Sequence, residues 1–210
     1  MDAFDRLLKA LAPNLDSLVD EVLAAKIESP RNAGLRRQIS LRWLSELLAD
    51  DERAKLYGLP ESCRVREQTK ILMPEKLICG EHVWIGENTY IDASGGLEIG
   101  DHTTIGVGVY VWTHTSILAN LLGTNIPGGA HVIQRHTRIG SRCYIVGHTV
   151  LNPGIAIGDG AVVLPNSCVT SNVEAGVIVA GAPARPIGNV NDSFLTALQA
   201  ELQAQRGEQV

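Results

Sequence analysis

The chain has 210 residues, 45% of them hydrophobic and 20% charged, with a formal net charge of −5. That length supports one main domain with additions. The acidic balance argues against a nucleic-acid surface, which needs clustered Lys and Arg, and four scattered cysteines with no Cys-x-x-Cys argue against a disulfide framework or a cysteine-held zinc.

Residues 1–60 are expected to be a helical N-terminal segment. Leu7, Leu8 and Leu11, then Leu15, Leu18, Val19 and Val22, have helical spacing, interrupted by Pro13. Pro30 and Gly34 mark a second break, and Leu35 to Leu48, containing Trp43, reads as another amphipathic helix. The start, Met1-Asp2-Ala3-Phe4-Asp5, has no basic region followed by an apolar core, and no run of 18 apolar residues exists. The expectation is a cytoplasmic protein with no membrane insertion.

From residue 61 to 188 the pattern changes to a six-residue beat of aliphatic side chains. Ile85 and Ile91 lie six apart; after a two-residue slip come Ile99, Ile105 and Val111; then Ile133, Ile139, Ile145, Leu151, Ile157, Val163 and Val169. A small or β-branched residue stands two before most of them, as at Val83, Thr89, Thr103, Val109, Thr137, Cys143, Thr149 and Ala161. A period of six is neither helical nor a simple strand alternation. It describes three short strands per turn of a solenoid, with the aliphatic residue and its small partner pointing inward. One large and one small residue per face fill a narrow prism. A β-sandwich is the competing fold, but its strands recur every 8–12 residues with variable turns.

The beat fails between Val111 and Ile133, a gap of 22 residues, which is not a multiple of six. The run 115–131, with Gly123 and Pro127-Gly128-Gly129, reads as a loop leaving the prism, and loops of that length commonly carry function. His114 stands at its mouth. Trp112, Tyr144 and Tyr110 are expected to point outward, where they could stack on a sugar ring or pack against another subunit, as Trp84 and Tyr90 are expected to do. Asp92 interrupts the rhythm and is a candidate to bind a substrate hydroxyl, to orient His114, or to cap its bend. After residue 188, Asp192 or Ser193 is expected to cap a short helix through Leu202, followed by a frayed tail within 189–210.

The hexapeptides, with Asn152-Pro153-Gly154, Ile157-Gly158-Asp159 and Ala180-Gly181-Ala182-Pro183-Ala184-Arg185, resemble the left-handed parallel β-helix of hexapeptide-repeat acyltransferases. Trp112-Thr113-His114-Thr115 before a loop is similar to the galactoside and maltose branch and to O-acetyltransferases of polysaccharide biosynthesis. The left hand is implied only by this resemblance, since parallel crossovers default to the right. The resemblance implies a homotrimer, acetyl-CoA as co-substrate and no metal. It implies His114 as general base, Gly147 as the backbone donor to the oxyanion, and Gly147, Pro165, Thr170, Ser171 and Arg185 beside CoA. Substrate-side candidates are Asp92, Trp112 and Tyr144.

Imidazole suits the base role because it titrates near neutral pH, and a fixed N–H suits a tetrahedral oxyanion. Two departures from the family pattern stand out. Ser171 occupies the place of a CoA-phosphate lysine, and Val146 that of a glycine. No Lys follows Lys76, so Arg135, Arg138, Arg142 and Arg185 are the cations left on the solenoid beyond it.

The reading is an O-acetyltransferase of a saccharide hydroxyl. The alternatives are N-acetylation of a nucleotide-linked amino sugar, or a non-catalytic or zinc carbonic anhydrase-like solenoid built on His131 and His136. That zinc pattern would need a third His near Gly95. Ala93 also departs from the serine acetyltransferase motif, which has its catalytic His there.

Overall fold

A computed structural model of the chain describes residues 30–123 and 131–207. The helices expected over residues 7–22, the Pro127-Gly128-Gly129 cluster and the last three residues lie outside the described residues. The chain divides between Leu48 and Ala49 into two units.

The first unit contains helix α1 (Pro30–Ser45). Pro30 begins this helix rather than breaking the chain before it, and Gly34 is inside it. Proline is accommodated at a first helical position because the amide it lacks would have had no intrahelical partner there. The second unit opens with α2 (Asp50–Leu56), which carries three acidic residues in its first turn and a bond from the Ala49 amide to the Glu52 carboxylate at 2.8 Å. Acids at that end complement the helix dipole. Arg53 of α2 is buried and donates to the Val65 carbonyl at 2.6 Å, so this helix belongs with the solenoid and caps its first turn.

The solenoid begins with β1 (Arg64–Val65), β2 (Lys70–Leu72) and β3 (Leu77–Cys79). The second turn is β4 (Trp84–Ile85), β5 (Tyr90–Asp92) and β6 (Leu97–Ile99). The third starts with β7 (Thr104–Ile105) and β8 (Tyr110–Val111), then leaves the prism through β9 (His114–Thr115), α3 (Ile117–Leu121) and β10 (Ile133–Gln134), and returns at β11 (Thr137–Ile139). The fourth is β12 (Tyr144–Ile145), β13 (Val150–Leu151) and β14 (Ala156–Ile157); β15 (Val162–Val163) and β16 (Cys168–Val169) follow. An antiparallel pair, β17 (Val177–Ala180) and β18 (Arg185–Asn189), ends the first face, and helix α4 (Asp192–Gly207) closes the described chain.

Parallel pairing stacks these strands into three faces. On the first face Val65, Ile85, Ile105, Ile145, Val163 and Val179 lie in register. On the second, Ile71, Ile91, Val111, Leu151 and Val169 do so. On the third, Cys79, Ile99, Ile139 and Ile157 do so. Ile85, Ile91, Ile105, Ile145 and Leu151 are fully buried, each worth roughly 1.5–3 kcal/mol on leaving water. The fold is the left-handed parallel β-helix. Threonine replaces valine at several small inward positions because its hydroxyl reaches the next turn: Thr69 donates to Gly86 O, Thr89 to Gly106 O and Thr103 to Gly140 O, at 2.7–3.0 Å. A buried hydroxyl without a partner would be costly.

Two expectations are corrected. Ile133 is not an inward beat; it is 37% exposed on β10, paired antiparallel with β9. The six-residue distance to Ile139 is coincidental, because the chain is still outside the prism at residue 133. The first turn, with Val65 and Ile71 in register with Ile85 and Ile91, falls within the expected 61–188. The last helix runs to Gly207, and its cap is Asn191, whose Oδ1 accepts from the Phe194 amide at 2.9 Å, rather than Asp192 or Ser193.

Candidate active site

The two-residue slip in the beat has a structural cause. Between Ile91 and Ile99 the corner joining the second and third faces is widened by residues 93–96, just as residues 73–76 widen it one turn earlier. One turn later the same corner opens into the excursion that carries His114. The widened corner therefore lies directly beneath His114, and it supplies the histidine's partners.

His114 Nδ1 lies 2.6 Å from Asp92 Oδ2; the His114 side chain is 27% exposed and the Asp92 side chain 0%. Asp92 is held from several sides. The Thr113 amide and hydroxyl donate to Oδ2 at 2.9 and 3.0 Å, and the Ser94 amide donates to Oδ1 at 3.0 Å. Burial pushes the Asp92 carboxyl up, but hydrogen bonds from Ser94, Thr113 and His114 together outweigh it and leave the carboxyl below its ordinary range. An ionised carboxylate only accepts, so Nδ1 carries the proton toward Asp92. Nε2 is left as the unprotonated nitrogen of the neutral ring, with no hydrogen-bond partner among the described residues. Ser94 Oγ also approaches Nδ1, at 3.1 Å, and donates toward Gln134 Oε1 at 3.4 Å.

The ring is braced on its other sides. His114 pairs with Gln134 across the β9–β10 ribbon. Trp112 meets it edge-on at 6.2 Å between centroids. Thr113 Oγ1 accepts from the Gly95 amide at 2.8 Å. A Cβ on Gly95 would sit 2.0 Å from the Thr113 carbonyl, so this close crossing of two turns requires glycine.

Of the candidate substrate residues, Asp92 is sealed beneath His114 and has no open surface for a hydroxyl; its geometry is that of an orienting group. Trp112 lies beside His114 and packs with Tyr90 and Tyr110 at 5.1 and 6.4 Å on the outside of the second face. Tyr144 is exposed on the first face, in register with Thr104 and Val162, so one chain does not bring it to Trp112.

The residues tied to CoA by resemblance are also divided. Gly147 and Pro165 follow β12 and β15 at the corner between the first and second faces. Thr170 and Ser171 follow β16 at the corner that holds His114, two turns further along. Arg185 opens β18 on the first face, exposed, its guanidinium donating to the Ala184 carbonyl. Gly147 N–H makes no hydrogen bond among the described residues, and a side chain there would meet the Val107 carbonyl at 2.7 Å.

Sequence reasoning missed Ser94, Thr113 and Gln134 as parts of this site. The eight-residue step from Ile91 to Ile99 was the available signal for the first two. His136 is engaged by Glu98 at 3.3 Å. Among the described residues no group of three His, Cys, Asp or Glu side chains is placed to hold a metal.

This solenoid defines the class by its fold: a hexapeptide-repeat parallel β-helix. No family model matches the chain, but individual proteins do. It is 29% identical over 151 residues to the Escherichia coli protein named for colanic acid biosynthesis acetyltransferase WcaF, covering 70% of this chain and 75% of that one. It is 30% identical over 135 residues to galactoside O-acetyltransferase of E. coli, covering 61% and 64%. Among solved structures, the hexapeptide-repeat acetyltransferase VCA0836 of Vibrio cholerae, complexed with acetyl-CoA, superposes with a TM-score of 0.67 at 24% identity, over 77% of this chain and 89% of that one. A galactoside acetyltransferase in complex with coenzyme A gives 0.65 at 20% identity, over 80% and 86%. The chain has the fold of the hexapeptide-repeat acetyltransferases and is similar in sequence to the two E. coli acetyltransferases.

Proposed function

We propose that the protein is an acetyl-CoA-dependent O-acetyltransferase acting on a saccharide hydroxyl in cell-surface polysaccharide biosynthesis, with His114 as general base. The observation that carries this reading is the Asp92–His114 pair, which fixes the tautomer and leaves Nε2 open. The acceptor hydroxyl is deprotonated at Nε2 as its oxygen attacks the thioester carbonyl carbon. The Gly147 N–H donates to the oxyanion. Collapse breaks the C–S bond, and the proton passes from His114 to the departing thiolate of CoA. No acyl-enzyme is needed. General base and oxyanion donor contribute roughly 10²–10⁴ and 10²–10³ in rate. The names of the two sequence relatives, one for colanic acid biosynthesis and one for galactoside O-acetylation, support a saccharide hydroxyl as acceptor.

His114 and Gly147 lie at opposite edges of the second face, so a site containing both takes each from a different chain. A threefold assembly that turns the second face, with its Tyr90, Tyr110 and Trp112, toward the axis brings the Gly147 corner of one subunit against the His114 corner of the next. CoA then runs along that seam, with Arg185 as its phosphate partner where Ser171 provides no charge. The test is thiol release from acetyl-CoA with a panel of neutral saccharides, nucleotide-linked amino sugars and buffer alone. Release stimulated by saccharide hydroxyls, with ester product, supports the reading. Stimulation by amino sugars alone, with amide product, overturns the acceptor class, and no stimulated release overturns the activity.

A further inference from the structure

Helix α1 has a composition unlike the rest of the chain. Across Pro30–Ser45 it carries Arg31, Arg36, Arg37 and Arg42 and no Asp or Glu, within a protein of net charge −5. Leu35, Ile39 and Trp43 recur at every fourth residue, and Leu47 continues the series just past the helix end. They are 41%, 57%, 62% and 64% exposed. At about 100° per residue the three helical members share one face, with Arg36 and Arg42 on its borders. Leu44, on the opposite side of the helix, is buried.

We propose that this stripe docks the protein on an anionic lipid surface. The helix is about 24 Å long. Among the described residues no helix is long and apolar enough to cross a bilayer, so α1 lies in the interface plane: Leu35, Ile39 and Trp43 enter the acyl boundary and the arginines meet head-group phosphates. Tryptophan suits that depth because its ring is apolar and its N–H polar. Charge argues against a second copy as the occupant. Pairing two such stripes would press two arginine clusters together with no carboxylate on either helix to offset them. The proposal is independent of what the acceptor is.

Co-sedimentation of the full chain tests it, using vesicles of phosphatidylcholine and vesicles of equal parts phosphatidylcholine and phosphatidylglycerol. The protein is expected to pellet with the mixed vesicles, less at high salt, and to stay in solution with phosphatidylcholine alone. Replacing both Arg36→Gln and Arg42→Gln weakens partition about 25-fold, from about fivefold per arginine. Trp43→Glu abolishes partition while circular dichroism and melting temperature stay unchanged. Absence of binding to either vesicle, or equal binding to both with no effect of the arginine pair, overturns the proposal. So does a fall in solution mass on Trp43→Glu, which would mean that a second copy covers the stripe.

Discussion

At the scale of single residues the proposed chemistry turns on which nitrogen of His114 carries the proton. Asp92 is buried, ionised and bonded from Thr113 and Ser94 before it ever meets the imidazole. Its charge fixes both the tautomer and the ring angle. His114→Ala is predicted to keep the melting temperature and lose at least about 10²-fold in kcat. Asp92→Asn keeps the shape but offers an amide whose N–H₂ can face Nδ1 and reverse the tautomer. A loss of about 10²–10⁴ in kcat with little change in KM is expected, read by steady-state kinetics. The carboxyl's depressed folded pKa also gives a sign for stability. Its contribution is present above the ordinary carboxylate value near 4 and is lost as pH falls through the lower folded value. Urea midpoints between pH 5 and pH 3 should therefore fall further for the wild type than for Asp92→Asn. His114 itself was legible from its place at the mouth of the break. The full role of Asp92 was not, because its partners come from a turn 20 residues away and only the register brings them together.

At the scale of elements the six-residue beat made most of the prism legible before any coordinates. The inward stacks through Ile105, Ile145 and Leu151 are where that period placed them. Ile105→Ala is expected to cost about 2–5 kcal/mol, read as a lowered urea midpoint, because the stacked turns above and below prevent the cavity from collapsing. The beat misled at Ile133, where an antiparallel ribbon imitates the spacing by accident. The corner below His114 shows why a broken period is informative. Its extra residues, Ala93 to Gly96, carry no inward aliphatic side chain, yet they deliver Ser94 and the tight Gly95 crossing. Gly95→Ala would drive a methyl into the Thr113 carbonyl and shift the strand that holds His114. A displacement of about 1 Å is worth roughly 10²-fold, so kcat should fall much further than the melting temperature.

At the scale of the whole molecule the three-sided prism separates what the reaction has to combine. The His114 corner carries the proposed base, the Gly147 corner carries an N–H with no partner among the described residues, and the second face with its aromatic cluster stands between them. A rigid solenoid cannot fold one corner onto the other, so the proposed site belongs to an assembly of identical chains related by closed symmetry. The most direct measurement is the activity of mixed trimers, purified through two different tags, built from His114→Ala chains and Gly147→Ala chains. Each parent should be inactive. In a two-to-one mixed trimer one seam in the ring joins an intact His114 corner to an intact Gly147 corner, so activity should return to about one third of the wild-type level. Mixed trimers as inactive as both parents would contradict the shared site.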